Sequence, residues 1–139
     1  MAEDFPLKVV TPTGVVYDGR ARQVTATGPR GEFGVLADHI NFITALTPGL
    51  LRIIKDDHTI ETWVISGGLT EIKDGAMTVL ASGAQTPSSI DRAQAQDQER
   101  AANQKIATLS FYDAGYPAAE EAFLLARARV QASSAPSAR

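Results

Sequence analysis

Apolar and polar positions alternate in short runs over the first part of the chain and recur at helical spacing over the last part. Leu7–Thr11, Arg22–Thr27, Phe42–Leu46, Leu51–Lys55, Thr62–Ser66, Leu69–Lys73 and Met77–Ala81 are β-branched or roughly alternating, the pattern of half-buried strands. Turn signals separate them: Pro12-Thr13-Gly14, Asp18-Gly19, Pro29-Arg30-Gly31, Pro48-Gly49 and Asp56-Asp57. Lys73-Asp74-Gly75 is the sharpest of these, because Asp-Gly accepts positive φ at both centres of a type I′ hairpin turn. About eight or more short strands with almost no helical periodicity predict a β-sandwich or a barrel.

From Ser88 onward the period changes. Ser88 and Ser89 are placed to cap a helix with Asp91 in its first turn, where the helix dipole favours an acid, and the helix is expected to reach about Leu109. Ser110–Gly115 breaks the pattern, and Pro117 suits the first position of a second helix. The apolar stripes are Ala95, Ala102, Ile106 and Leu109 on the first helix, and Ala119, Ala122, Phe123, Ala126 and Val130 on the second. An alanine methyl buries about 0.8 kcal/mol, against about 1.5–3 for a leucine side chain. Such a hairpin closes tightly but holds weakly, the regime of a bistable element.

Composition sharpens the division. Ten of the eleven glycines lie at or before Gly83, while twelve of the 45 residues from Ser88 to Ala132 are alanine. Glycine punctuates turns and alanine favours helix. The boundary is therefore expected at Thr86-Pro87-Ser88: a β domain over 1–86, a helical hairpin over 87–132 and a flexible tail over 133–139.

At 139 residues and 44% hydrophobic, the chain can build a core without a covalent staple. It has no cysteine, which excludes disulfides, thiolate metal sites and a cysteine nucleophile. A net charge of −3 with no basic run argues against nucleic acid as a partner. Apolar runs are only a few residues long, and Met1-Ala2-Glu3-Asp4 opens on charge, so neither a membrane span nor a leader peptide is expected. His39 and His58 lie beside Asp38 and Asp56-Asp57 without the spacing of a metal set, and no serine sits in G-x-S-x-G. Neither a catalytic residue nor a metal is expected. Trp63, inside a strand, is expected in the core or half-exposed on the sandwich face.

Two stretches carry a resemblance. Thr27-Gly28-Pro29-Arg30-Gly31-Glu32-Phe33-Gly34-Val35-Leu36 is similar to a T-G-x-x-G-E-[LF]-G-[IV]-L segment. Ile65-Ser66-Gly67-Gly68-Leu69-Thr70-Glu71-Ile72, with Val79-Leu80-Ala81, is similar to S-G-G-x-x-E-[VI] followed by T-[VI]-L-A. Val9-Val10-Thr11-Pro12 and Pro48-Gly49 agree at suitable spacing. Together these resemble the epsilon subunit of bacterial and chloroplast ATP synthases, over about residues 5–132. The resemblance implies an α+β chain, an N-terminal β-sandwich followed by a C-terminal antiparallel α-helical hairpin. It implies a non-catalytic rotor subunit in the central stalk of a proton-translocating synthase, set beside the gamma subunit and on the c-ring. The hairpin is expected to extend toward the alpha/beta catalytic head and inhibit ATP hydrolysis. The implied location is the cytoplasmic face of a bacterial inner membrane, or the stromal side of a thylakoid. The competing expectation is a free-standing β-sandwich that binds a small ligand or peptide and carries a helical tail.

On this resemblance Gly31, Glu32, Asp38 and His39 map to the face turned toward the c-ring. The plainer reading makes Glu32 a solvated turn residue and His39 a loop histidine bonded to nearby backbone. Ala37-Asp38-His39-Ile40-Asn41 stands where the family usually has P-G-H-x-P, so the same loop with altered stiffness is expected. Arg127 and Arg129 are the residues expected to meet acidic groups of the head, although cations near a helix C-terminus also suit its dipole. The [IL]-D-x-x-R-A nucleotide motif of some relatives appears only as Ile90-Asp91-Arg92-Ala93-Gln94-Ala95. Three residues turn a helix by about 300°, so Asp91 and Gln94 are expected on one face, where glutamine offers phosphate no charge. Weak ATP binding or none is expected, with Arg100 and Arg127 as the nearest substitutes, and no other cofactor.

Overall fold

Alternation of buried and exposed side chains along the strands builds two five-stranded sheets, and a computed structural model describes residues 4–134 of them and of the helices that follow. The strands are β1 (Phe5–Thr11), β2 (Gly14–Ala21), β3 (Gln23–Gly28), β4 (Gly31–Leu36), β5 (Phe42–Leu46), β6 (Gly49–Ile54), β7 (Ile60–Ile65), β8 (Gly68–Lys73), β9 (Ala76–Ala81) and β10 (Ala84–Gln85). One sheet has the order β2-β1-β9-β8-β5 and the other β10-β7-β6-β3-β4. Among the described residues only β1 and β9 pair in parallel, and every other strand pair is antiparallel. Inward residues such as Leu7, Val9, Val24, Leu51, Ile53 and Val79 fill the space between the sheets and are almost fully buried. The β domain is thus a sandwich, not a barrel.

The β8–β9 turn forms as its sequence predicts, with φ of 51° at Asp74 and 83° at Gly75. Asp18-Gly19 is not a turn. It lies inside β2, paired with Lys8 and Leu7, because β2 is an edge strand and needs hydrogen bonds on one side only. Gly19 leaves room for the Tyr17 ring, 3.5 Å from where a Cβ would stand, and the Tyr17 hydroxyl donates to the Arg20 carbonyl at 2.7 Å. Trp63 is half-buried against the core, and its Nε1–H donates to Glu61 Oε2 at 2.7 Å. The same carboxylate lies 2.8 Å from Lys55 Nζ and holds the lysine pKa above its ordinary value.

After β10 the chain makes a 3₁₀ turn, Pro87–Ser89, then α1 (Arg92–Ala107) and α2 (Tyr116–Ser134). The first cap differs from expectation. Asp91, not Ser88 or Ser89, is the N-cap of α1: its carboxylate accepts the Gln94 N–H at 3.1 Å, while Ser89 bonds the Thr86 carbonyl within the turn. Proline at 87 favours that turn, which moves the start of α1 two or three residues on. Helix α2 runs through Ser133 and Ser134, into the stretch expected to be tail, and residues 135–139 lie outside the described residues. The outer face of the second sheet carries Leu50 and Val64 side by side, buried beneath Ala128 and Ala132 of α2 with Leu125 and Ile90 at the margin. Helix α1 packs on α2, so the hairpin forms two further layers on that face. Among the described residues no helix is long and apolar enough to cross a membrane.

Candidate interaction faces and the hairpin seam

Strand register assembles a feature on the other sheet that no single segment displays. Val15 pairs with Val10, Val10 with Leu80, Leu80 with Leu69, and Leu69 with Ala45. Their neighbours Val9, Val79 and Thr70 point inward and are buried, so this row lies on the outer face and crosses all five strands. Val15, Leu69 and Leu80 are 54%, 41% and 50% exposed. The next row, Asp18, Lys8, Thr78, Glu71 and Ile43, is mostly polar and borders the apolar one. A bulge at Val9/Val10 brings Val15 into line.

The four residues mapped to a ring-facing surface do not form one cluster. Gly31 closes the β3–β4 turn at φ 110°, and Glu32 beside it pairs with Arg52 of β6 at 3.5 Å. His39 stands beyond the other end of β4, where Nδ1–H donates to the Ile40 carbonyl at 2.8 Å and the ring meets Phe42 at a tilt, 5.9 Å between centroids. Phe42 meets Phe33 edge-on at 5.9 Å, so aromatic rings close this side of the sandwich. Asp38 occupies the usual glycine position with φ 65°, the left-handed conformation that aspartate tolerates better than most side chains. Asn41 Oδ1 accepts the Asp74 N–H at 2.9 Å, tying the loop to the β8–β9 turn. Leu36 and Ile40 around it are exposed, so the loop presents apolar as well as polar surface.

Arg127 and Arg129 part company. Two residues turn a helix by about 200°. Arg127 stacks over Phe123 at 5.5 Å and lines a cleft of about 300 Å³ with Thr27, Glu32, Gly49, Arg52 and Gln131. Arg129 points to the opposite side of α2. There it lines a cavity of about 90 Å³ with Gln85, Ser89, Asp91, Gln94 and Gln98. The remnant nucleotide motif therefore meets Arg129, not Arg127 or Arg100; Arg100 is paired with Asp97 on its own helix. Asp91 and Gln94 line this cavity together, Asp91 from the extended cap position and Gln94 from the first turn of α1. Ile90 packs at the margin of the hairpin seam and Ala95 is buried. Among the described residues no three His, Asp or Glu side chains converge as a metal set. The apolar row, Gln85 and Gln98 escaped the sequence reading. The signal for the row was there, in strands apolar at both parities such as Val9-Val10 and Val79-Leu80-Ala81. For the glutamines there was none.

Residues 4–87 match the family described as ATP synthase, Delta/Epsilon chain, beta-sandwich domain. The chain is 39% identical over 101 residues to the ATP synthase epsilon chain of Desulforudis audaxviator, covering 73% of each. It is 44% identical over 78 residues to the ATP synthase epsilon chain of Sulfurimonas denitrificans, covering 56% of this chain and 60% of that one. Among solved structures, a chain of the Euglena gracilis mitochondrial ATP synthase (OSCP, F1 and c-ring) superposes with a TM-score of 0.79 at 22% identity, over 96% of this chain and 82% of that one. A chain of the Tetrahymena thermophila mitochondrial ATP synthase central stalk and c-ring superposes at 0.58 and 14% identity, over 93% and 96%. At these identities the two structures speak for the fold, a sandwich followed by two helices.

Proposed function

The chain belongs to the ATP synthase epsilon-chain family, and from that premise we propose that it is a non-catalytic rotor subunit, carrying rotation between the c-ring and the gamma subunit. The observation that carries this reading is the apolar row from Val15 to Ala45. No described segment of the chain covers it, and an apolar strip crossing a whole sheet suits a lasting protein partner. Gamma is that partner. Leu69→Glu with Leu80→Glu should leave the circular dichroism of the sandwich unchanged and abolish copurification with gamma. Undiminished copurification would remove the basis of the reading.

The hairpin then has the second role. Folded, it covers Leu50 and Val64; extended, it reaches the alpha/beta catalytic head and slows ATP hydrolysis, with Arg127 among its contacts. The weak alanine seam supports this reading, because it can open at modest cost. Deleting residues 88–139 should raise ATP hydrolysis by the assembled enzyme. Glu32 and His39 meet the c-ring from separate places, one at each end of β4, with Gly31 and Asp38 shaping the turns beside them. The protein works at the cytoplasmic face of a bacterial inner membrane, held there by the complex. It binds ATP weakly or not at all: Asp91 caps α1, and Gln94 carries no charge.

A further inference from the structure

Arg129 stands where three layers meet. Its Nε donates to Gln85 Oε1 of β10 at 2.8 Å, and its Nη1 to Gln98 Oε1 of α1 at 3.2 Å. The side chains packed around Leu50 and Val64 at this seam are aliphatic. Aliphatic contact is non-directional and leaves orientation loose, whereas a planar guanidinium satisfies two acceptors only in one arrangement. We propose that Arg129 is the positioning residue of the folded hairpin, fastening α2 to the sandwich through Gln85 and to α1 through Gln98. The proposal rests on the hairpin being a movable brake and names what holds the brake off.

Two features support it. Gln85 and Gln98 lie 44 and 31 residues from Arg129 in sequence, on different elements, so both bonds exist only with all three layers assembled. Lifting α2 from the sheet breaks the first bond; parting the helices breaks the second. The partners are also neutral. Asp91, the carboxylate lining the same cavity, is engaged by the Gln94 N–H as the cap of α1. A guanidinium held by amides is released more easily than one held by a carboxylate. The fastening thus favours the folded hairpin without locking it.

The test uses the full chain, which has no native cysteine, with spin labels at Arg30→Cys on the sandwich and Gln131→Cys on α2. Arg129→Gln should raise the detached-to-folded ratio about tenfold or more, the scale of losing a charged hydrogen bond. Arg129→Lys should shift it the same way, since one ammonium cannot reproduce the planar fork across both amides. Gln85→Glu should push the ratio below that of the parent, and high salt should erase that gain. The tightening variant answers the question even if Arg129→Gln proves poorly folded. Unchanged distances in Arg129→Gln together with no tightening in Gln85→Glu would overturn the proposal. If the distances shift as expected while ATP hydrolysis by the assembled enzyme does not, the fastening stands and the brake reading fails.

Discussion

On β6 and β7, Leu50 and Val64 stand side by side on the outward face of one sheet, and α2 lies over them. On β1, β9 and β8, Val10, Leu80 and Leu69 stand side by side on the outward face of the other, and no described residue lies over them. The chemistry is the same and the cover differs. The covering helix presents Ala128 and Ala132, which let it approach closely but bury little area, about 0.8 kcal/mol per methyl. The open row presents two leucines and two valines, each able to bury about 1.5–3 kcal/mol against a partner of matching shape. A face closed by the chain itself can thus be reversible, while the open one offers more apolar area per residue to whatever covers it.

The contrast can be broken from either side. The largest effect should come from Gly68→Ala, beneath one end of the open row. Its φ is 143° and a Cβ would stand 2.1 Å from the Leu80 carbonyl oxygen, so the β8–β9 edge must move, at a cost of about 4 kcal/mol or more. Thermal unfolding of the variant measures it, and an unchanged midpoint would mean the two strands are free to slide. Ala132→Glu comes next. It places a carboxylate at a fully buried position of the seam, at a cost of about 2–4 kcal/mol unless α2 lifts away. Hydrogen exchange should then show α2 unprotected over an intact sandwich; loss of protection in both would make them one cooperative unit. A chain ending at Gln85 should still fold as a β protein. With Leu50 and Val64 bared it should self-associate in sedimentation, and Leu50→Ser with Val64→Thr should reverse that. The smallest effect concerns the β4–β5 loop. Asp38→Ala should lose about 1 kcal/mol of stability by calorimetry, whereas Asp38→Gly should stay within about 0.5 kcal/mol, because only alanine resists φ 65°.

How far the sequence could be read depended on the range of the interactions. The Asp74-Gly75 turn and the strands flanking it follow from a few adjacent residues, and they were legible. Strands β2 and β4 were not picked out. One contains Asp18-Gly19 and the other opens on Gly31 and contains Gly34, and as edges both tolerate residues that central strands exclude. The cap of α1 was misassigned because two serines and an aspartate all qualify locally, and Pro87 decided between them. Arg127 and Arg129 looked like one basic pair in the sequence; helical geometry sends them to opposite sides of α2. Strands apolar at both parities signal an apolar outer face, but its continuity as a row depends on register across five strands and one bulge, which residue spacing does not encode.

The parallel pairing of β1 with β9 also governs the order in which the protein can assemble. Leu7 waits for Met77 and Val9 for Val79, so one edge of β1 stays unpaired until the last strand of its sheet has left the ribosome. A contact so distant along the chain is slow to form, because the loop between its ends must close first. The hairpin follows β10 in the chain and is made after every strand of both sheets. Its docking on Leu50 and Val64 is a second distant contact along the chain, and all the sandwich strands are made before the hairpin is complete.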